Sequence, residues 1–395
     1  MKEEESVDGG RIEIIGNLID LASFKNVPQL EVEVCEDALK LTRKWIVRGV
    51  VRSCTIEVRR YVDAEKFALM LGLYRADGLK KYERVRFTNK DPLLHGWFVE
   101  PLKEMGVRKF LAYCYYCYCE KCGQEKLKNA IRRFEEITGV KVTGKYRSGV
   151  AHNPIFVTDI NSKPLAIFIK HAERTLRKEI VRGNVPRSVA RKYIRGVLEG
   201  DGSIAISIEE EKVDGMHFEI FESDEEAIKD LKMIIKKVLG IDLKIYPGDK
   251  QESSINLYEL LDLLLSDVVP ARFIDKVKQR LLISFKKKGV PWILIMLAKS
   301  FERRWFTSTE ASHILHKARH HTLELLKKLE EMEYLMSKKT KIIKSIPRTV
   351  GTPVRRIFKI SEKGRKIIEI LSSLLHPLFP TLNFLLSSSS SLITM

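Results

Sequence analysis

The chain has 395 residues, enough for two or three domains with separate cores. Its 70 lysines and arginines against 52 acids give a formal charge of +18, which disfavours a basic partner and points to a polyanion, most often nucleic acid. The start, Met-Lys-Glu-Glu-Glu-Ser, is too acidic for a signal peptide, and no apolar run reaches the roughly 18 residues of a membrane span. Six cysteines show no secreted disulfide framework, so a reducing interior is expected.

Residues 1–62 read as an N-terminal extension with no assigned role. They hold β-like runs at Arg11–Ile15 and Cys54–Val58 and an expected helix near Glu36–Trp45. From residue 63 the pattern becomes regular. Asp63–Arg75 has helical apolar spacing and ends at Asp77-Gly78. A strand at Arg84–Thr88 follows, then a helix capped by Asp91 and opened by Pro92 that runs to Met105 and stops at Gly106. A strand (Arg108–Tyr116), a helix (Gln124–Thr138) and a strand (Val140–Tyr146) come next, in a first copy expected over 63–180.

A second copy is expected over 181–289. Its helix Arg187–Leu198 ends at Asp201-Gly202, strands are expected at Ser203–Glu209 and Met216–Phe221, and Asp224 caps a helix stopped by Gly240. Cap acid and terminating glycine stand 15 residues apart in one copy (Asp91, Gly106) and 16 in the other (Asp224, Gly240). Matching order and near-matching length indicate duplication.

Each copy opens with the same word. Residues 69–78 (Leu-Met-Leu-Gly-Leu-Tyr-Arg-Ala-Asp-Gly) and 193–202 (Tyr-Ile-Arg-Gly-Val-Leu-Glu-Gly-Asp-Gly) put small residues four apart before an acid and a glycine. Gly72/Ala76 and Gly196/Gly200 let two helices cross closely, which brings Asp77 and Asp201 out together. Paired carboxylates seat a divalent cation, and an acid at a helix C-terminus opposes the macrodipole, so a purely structural role there is disfavoured.

On this motif and the Phe87-Thr-Asn-Lys-Asp91 and Phe221-Glu-Ser-Asp224 segments, residues 60–285 resemble the single-chain, two-repeat LAGLIDADG homing endonucleases. The resemblance implies an α+β fold: two tandem αββαββα repeats forming a pseudo-dimer, with a saddle of antiparallel sheets over double-stranded DNA. It implies Mg²⁺ held by Asp77 and Asp201, and polar residues beside them at Asn89 and Glu222. Lys90, Lys170 and His171 are basic residues with no assigned role. It further implies a monomeric, prokaryotic protein of the cytoplasm and nucleoid, encoded by an intron. Two departures stand out. Arg75 replaces an acid that Glu199 keeps, and Asp77 to Asp91 spans 14 residues where Asp201 to Asp224 spans 23, so the first hairpin is expected to be short.

Cys114, Cys117, Cys119 and Cys122 form two CxxC pairs, a candidate structural zinc site crowded into nine residues. The rival reading is a tyrosine-rich buried strand with incidental thiols.

Residues 290–375 resemble a winged helix-turn-helix domain. Expected elements are a helix Trp292–Ser300, a capping box Thr307–Glu310 opening a helix to His316, an amphipathic helix Ala318–Glu333, strands Tyr334–Ser337 and Arg355–Ile360, and a closing helix. Residues 338–366 hold eleven lysines and arginines and one acid, Glu362. Lys317, Arg319, His320 and His321 are expected at DNA bases, and Lys338, Lys339, Lys341, Arg355 and Arg356 at phosphates. Residues 376–395 read as a disordered tail. The favoured function is a site-specific, metal-dependent double-strand DNA endonuclease. The alternatives are a non-cleaving DNA-binding regulator of the WhiA type and an intron RNA maturase.

Overall fold

The structure is a computed structural model and describes residues 11–13, 27, 30–79, 83–116, 124–149, 153–209, 212–246, 250–341 and 354–375. It is a mixed α+β protein with several antiparallel sheets. The described residues fall into two compact units. The first takes those up to Ile204 with Phe218–Ser253 and Asp267–Ala271; the second takes Ala205–His217, Ser254–Ser266 and those from Arg272 onward.

The chain opens with β1 (Arg11–Glu13), β2 (Glu31–Val34), β3 (Ala38–Val47), β4 (Val50–Arg59) and β5 (Tyr61–Asp63). β1 pairs with β5, and β2, β3 and β4 form an antiparallel sheet in that order. The helix expected near Glu36–Trp45 is therefore corrected to a strand. Leu39 and Leu41 are buried while Lys40 between them is exposed, a period of two rather than 3.6. Thr42, Trp45, Ile46 and Val47 favour extended backbone. Arg48 (φ 50°) and Gly49 (φ 77°) then close a two-residue turn with both φ values positive, which matches the twist of a hairpin.

Next come α1 (Ala64–Asp77), β6 (Val85–Asn89), α2 (Pro92–Glu104), β7 (Leu111–Tyr116), α3 (Gln124–Thr138), β8 (Val142–Arg147), β9 (Ile155–Ile160) and α4 (Lys163–Arg182). Asp63 caps α1 by accepting the Lys66 N–H at 2.9 Å, and Asp91 caps α2 through the Leu93 N–H at 2.9 Å. The sheet order is β6-β9-β7-β8. Its core gathers Phe87, Phe98, Phe134 and Phe156, all buried.

This first copy departs from αββαββα. α3 buries Ile131, Phe134 and Thr138 at helical spacing and forms the crossover that makes β7 and β8 parallel. The hairpin after the motif shrinks to one bridge, Gly78 to Phe87, as the short spacing led one to expect.

The second copy follows the expected order: α5 (Arg187–Asp201), β10 (Gly202–Glu209), β11 (Lys212–Phe221), α6 (Glu225–Leu239), β12 (Lys244–Ile245), β13 (Lys250–Ser254) and α7 (Leu257–Leu265). Gly240 ends α6 in the left-handed conformation (φ 78°), its N–H bonded to the Lys236 carbonyl.

After a 3-10 turn at Ala271–Phe273 come α8 (Ile274–Lys286), α9 (Val290–Phe301), β14 (Phe306–Thr307), α10 (Ser308–Leu315), α11 (Arg319–Glu331), β15 (Leu335–Lys341), β16 (Val354–Ile360) and α12 (Glu362–Leu375). The expected capping box forms: Thr307 accepts the Glu310 N–H at 3.2 Å and Glu310 accepts the Thr307 N–H at 2.8 Å. The strand order is β14-β16-β15. The basic segment 342–353 and the tail 376–395 lie outside the described residues.

Candidate functional site

α1 and α5 cross at their glycines. A Cβ on Gly72 would stand 2.2 Å from the Tyr193 carbonyl oxygen, and one on Gly196 would stand 2.3 Å from that of Leu69. Neither fits, so each glycine is required by the approach of the opposite backbone. Four residues on, a Cβ on Gly200 would meet Ala76 Cβ at 2.3 Å and Asp77 Oδ2 at 3.0 Å. The helices thus run in the same direction, and the Asp77 carboxylate lies against the residue that precedes Asp201. Both acids are half-buried and end their helices, with Gly78 and Gly202 as C-caps.

Asn89 reaches back to this end. Its Nδ2 donates to Asp77 Oδ2 at 2.7 Å, and its Oδ1 accepts the Asp91 N–H at 2.8 Å, which fixes the amide. Behind it stands His95, a residue that the sequence did not single out. Its Nε2 lies 3.1 Å from the Asn89 carbonyl oxygen and its Nδ1 lies 2.8 Å from Thr158 Oγ1. The ring is fully buried and edges onto Phe87 and Phe134. Burial pushes its pKa down to about 4, so it is neutral at pH 7 and donates from one nitrogen.

Because the folded state excludes the proton that the unfolded chain takes up below pH 6.5, stability is full above that pH and falls toward pH 4. His95 accounts for about 3 kcal/mol of that loss. Urea unfolding at pH 7 and pH 4.5 measures it, and His95→Gln is expected to flatten the difference.

Glu222, at the position matching Asn89, is engaged otherwise. Arg75 Nε donates to its Oε2 at 2.7 Å, and Arg75 Nη2 lies 2.7 Å from its Oε1 and 3.4 Å from Asp224 Oδ2. Glu222 is a buried acid neutralised by a bidentate guanidinium. Burial alone would raise the Asp224 carboxyl, but the Ala227 N–H and the Arg75 charge hold it below the usual carboxylate range. Arg75 in place of an acid was the one signal in the sequence: a buried arginine needs a carboxylate.

A second buried network lies nearby. Glu173 Oε1 accepts Tyr193 Oη at 2.6 Å and Arg177 Nε at 3.2 Å, and Arg177 Nη1 donates to Asp230 at 2.6 Å. Glu199, which keeps the motif acid, accepts Arg195 Nε at 2.9 Å and the Ala271 N–H at 3.1 Å. It therefore anchors the 267–271 segment.

Two hard carboxylates suit Mg²⁺, which needs one or two acids and completes its shell with water and phosphate oxygens. Among the described residues no three His, Cys, Asp or Glu side chains gather, so no closed all-protein cage is built. Of the candidate zinc ligands, Cys117, Cys119 and Cys122 lie outside the described residues. Cys114 is buried on β7, and burial pushes its thiol up to about 11.

In the second unit, Lys317, Arg319, His320 and His321 are all exposed where α11 begins, after the left-handed turn at His316 (φ 50°). Lys338 and Lys339 are exposed on β15, and Lys338 Nζ stands 4.4 Å over the Trp305 ring. Arg356 is exposed but pairs with Glu330 at 2.7 Å. Lys341 and Arg355 lie on β15 and β16. In the first unit Lys90 is exposed, while Lys170 and His171 are half-buried on α4. Among the described residues no helix is long and apolar enough to cross a membrane.

No family model matches the chain, and no curated protein matches it. Among solved structures, the N-terminal LAGLIDADG domain of WhiA is similar over 53% of this chain and 86% of its own, at 15% identity and TM-score 0.31. Full-length WhiA from Thermatoga maritima is similar over 68% of this chain and 92% of its own, at 11% identity and TM-score 0.31. The meganuclease I-SmaMI, bound to uncleaveable DNA, is similar over 56% of this chain and 91% of its own, at 12% identity and TM-score 0.30. Likenesses at this level carry no functional weight.

Proposed function

We propose that the chain is a site-specific, metal-dependent double-strand DNA endonuclease. It would be built as a two-repeat LAGLIDADG pseudo-dimer with a winged helix-turn-helix unit. The observation that supports this is the glycine-mediated crossing of α1 and α5, which lays Asp77 against the residue preceding Asp201. Two acids at helix C-termini oppose the macrodipole, and a cation relieves that cost. Asp77 and Asp201 would hold Mg²⁺, which when bound lowers the pKa of water and offsets charge on the phosphate oxygens.

The chain's own residues do the rest. Asn89 holds Asp77 by one oxygen and leaves the other for a ligand, and His95 holds Asn89. In the reaction water adds to phosphorus and one P–O bond breaks, which leaves a phosphate on one end and a hydroxyl on the other. Glu222 is assigned to the ion pair with Arg75 rather than to water. α11 would read base edges through Lys317, Arg319, His320 and His321, and Lys338 and Lys339 would hold phosphates.

A second reading, a non-cleaving DNA-binding regulator, is favoured by the single-bridge first hairpin, which shortens the reach of one half along DNA. Cleavage of DNA from the gene's own neighbourhood in Mg²⁺ separates the two. The wild type is expected to cut it. Asp201→Asn is expected to bind it as well but to cut at least about a hundredfold more slowly. Sequence-specific binding by the wild type without cleavage would leave the regulator.

A further inference from the structure

The β3–β4 hairpin has a buried base and a bare tip. At the base Leu39, Leu41 and Val58 are buried, and the sheet contacts α4. Six residues on, the register pairs Ile46 with Val51 and Val47 with Val50 across the Arg48-Gly49 turn. Ile46 is 71% exposed, Val51 65%, Val50 61% and Val47 37%. Successive residues face opposite sides, so both faces of the tip are apolar. From Leu41 to Val47 the strand extends about 20 Å at roughly 3.3 Å per residue.

Charge narrows what such a tip meets. Between Leu41 and Ile56 lie Arg43, Lys44, Arg48 and Arg52 and no acid. Lys44 is paired with Glu31 at 2.8 Å, and the Arg43 guanidinium lies 5.1 Å over Trp45. Arg48 and Arg52 are exposed beside the four aliphatic residues. Branched aliphatic wedges flanked by arginines are the equipment of proteins that enter the minor groove, unstack a base step and bend the duplex. A bilayer anchor uses Trp, Phe and Leu on a long amphipathic helix, which this tip lacks. Pairing of the β4 edge with a second copy would set Arg52 against like charge.

We propose that the β3–β4 hairpin is a DNA-bending arm: Ile46, Val47, Val50 and Val51 wedge into a base step, and Arg48 and Arg52 hold the flanking phosphates. The arm rests on duplex DNA being the ligand, not on cleavage. It gives the N-terminal extension a role and adds reach to the half of the protein whose first hairpin is a single bridge.

The test uses the full chain and a mixed-sequence duplex carrying fluorescent end labels and aminopurine at successive steps. Wild type is expected to shorten the end-to-end distance and raise aminopurine fluorescence. The double variant Ile46→Ser/Val51→Ser is expected to lose both signals while keeping its salt dependence. Arg48→Ala/Arg52→Ala is expected to flatten the log–log salt slope by about 1.8.

Binding by the wild type with no bend or unstacking, or serine variants that behave as wild type, would overturn the arm alone. No duplex binding by any form would overturn the endonuclease reading with it. A serine variant unchanged on DNA but released from phosphatidylglycerol vesicles, or converted from dimer to monomer in sedimentation, would reassign the tip and overturn the proposal.

Discussion

A Gly72→Val variant is expected to lose more than about 4 kcal/mol of folding stability, enough to unfold a marginal domain. The first added carbon alone would stand 2.2 Å from the Tyr193 carbonyl oxygen and 2.9 Å from the Val197 nitrogen. Both are backbone atoms of α5 and cannot rotate away. The helices must part, and parting strips contact from the whole interface. Gly196→Val meets the Leu69 carbonyl oxygen and is expected to act alike. Gly149→Ala is the control: nothing lies within 4 Å of its Cβ, and its effect is expected within about 0.5 kcal/mol. Urea unfolding of the three variants measures the difference. A stable Gly72→Val would mean that α1 and α5 do not cross as described.

Arg75→Ala is expected to cost about 3–5 kcal/mol, because it leaves Glu222 buried without its cation. The loss would come from stranding a charge, not from losing the pair's net contribution. Replacing both partners, Arg75→Met with Glu222→Met, is therefore expected to recover most of it. If Glu222 instead served the reaction, Glu222→Gln would abolish cleavage at unchanged stability. On the present assignment Glu222→Gln destabilises the fold and leaves the cleavage of the folded fraction near wild type. Chemical unfolding alongside single-turnover cleavage separates the two.

These variants also mark what could be read from the chain. Local signals were legible: the Asp91-Pro92 start of α2, the capping box at Thr307 and the span Gln124–Thr138 each depend on residues within one or two turns. The paired glycines were legible because their spacing is local in each helix. What failed was long-range. Glu222 looked like a strand-end acid beside the motif because its partner, Arg75, lies 147 residues away in sequence. His95 looked like any helical histidine, since Thr158 and the phenylalanine cage come from distant elements. The helix expected near Glu36–Trp45 failed for a different reason. Its apolar residues fit both periods loosely, and the Arg48-Gly49 turn that settles the hairpin lies beyond the window.

The unequal halves follow from the same residues. α5, β10 and β11 keep the full helix–hairpin unit, whereas α1 leads through Gly78 into a single bridge and then β6. Cleavage of both strands would then rest on one shared acid pair, not on two equivalent half-sites. The most direct measurement incubates the full chain with a randomised duplex library in Mg²⁺ and in EDTA and sequences the cut ends. Cuts at one discrete sequence, on both strands, in Mg²⁺ only, and lost in both Asp77→Asn and Asp201→Asn, are expected. An uncut library from which a discrete sequence is nonetheless retained by binding would contradict the endonuclease.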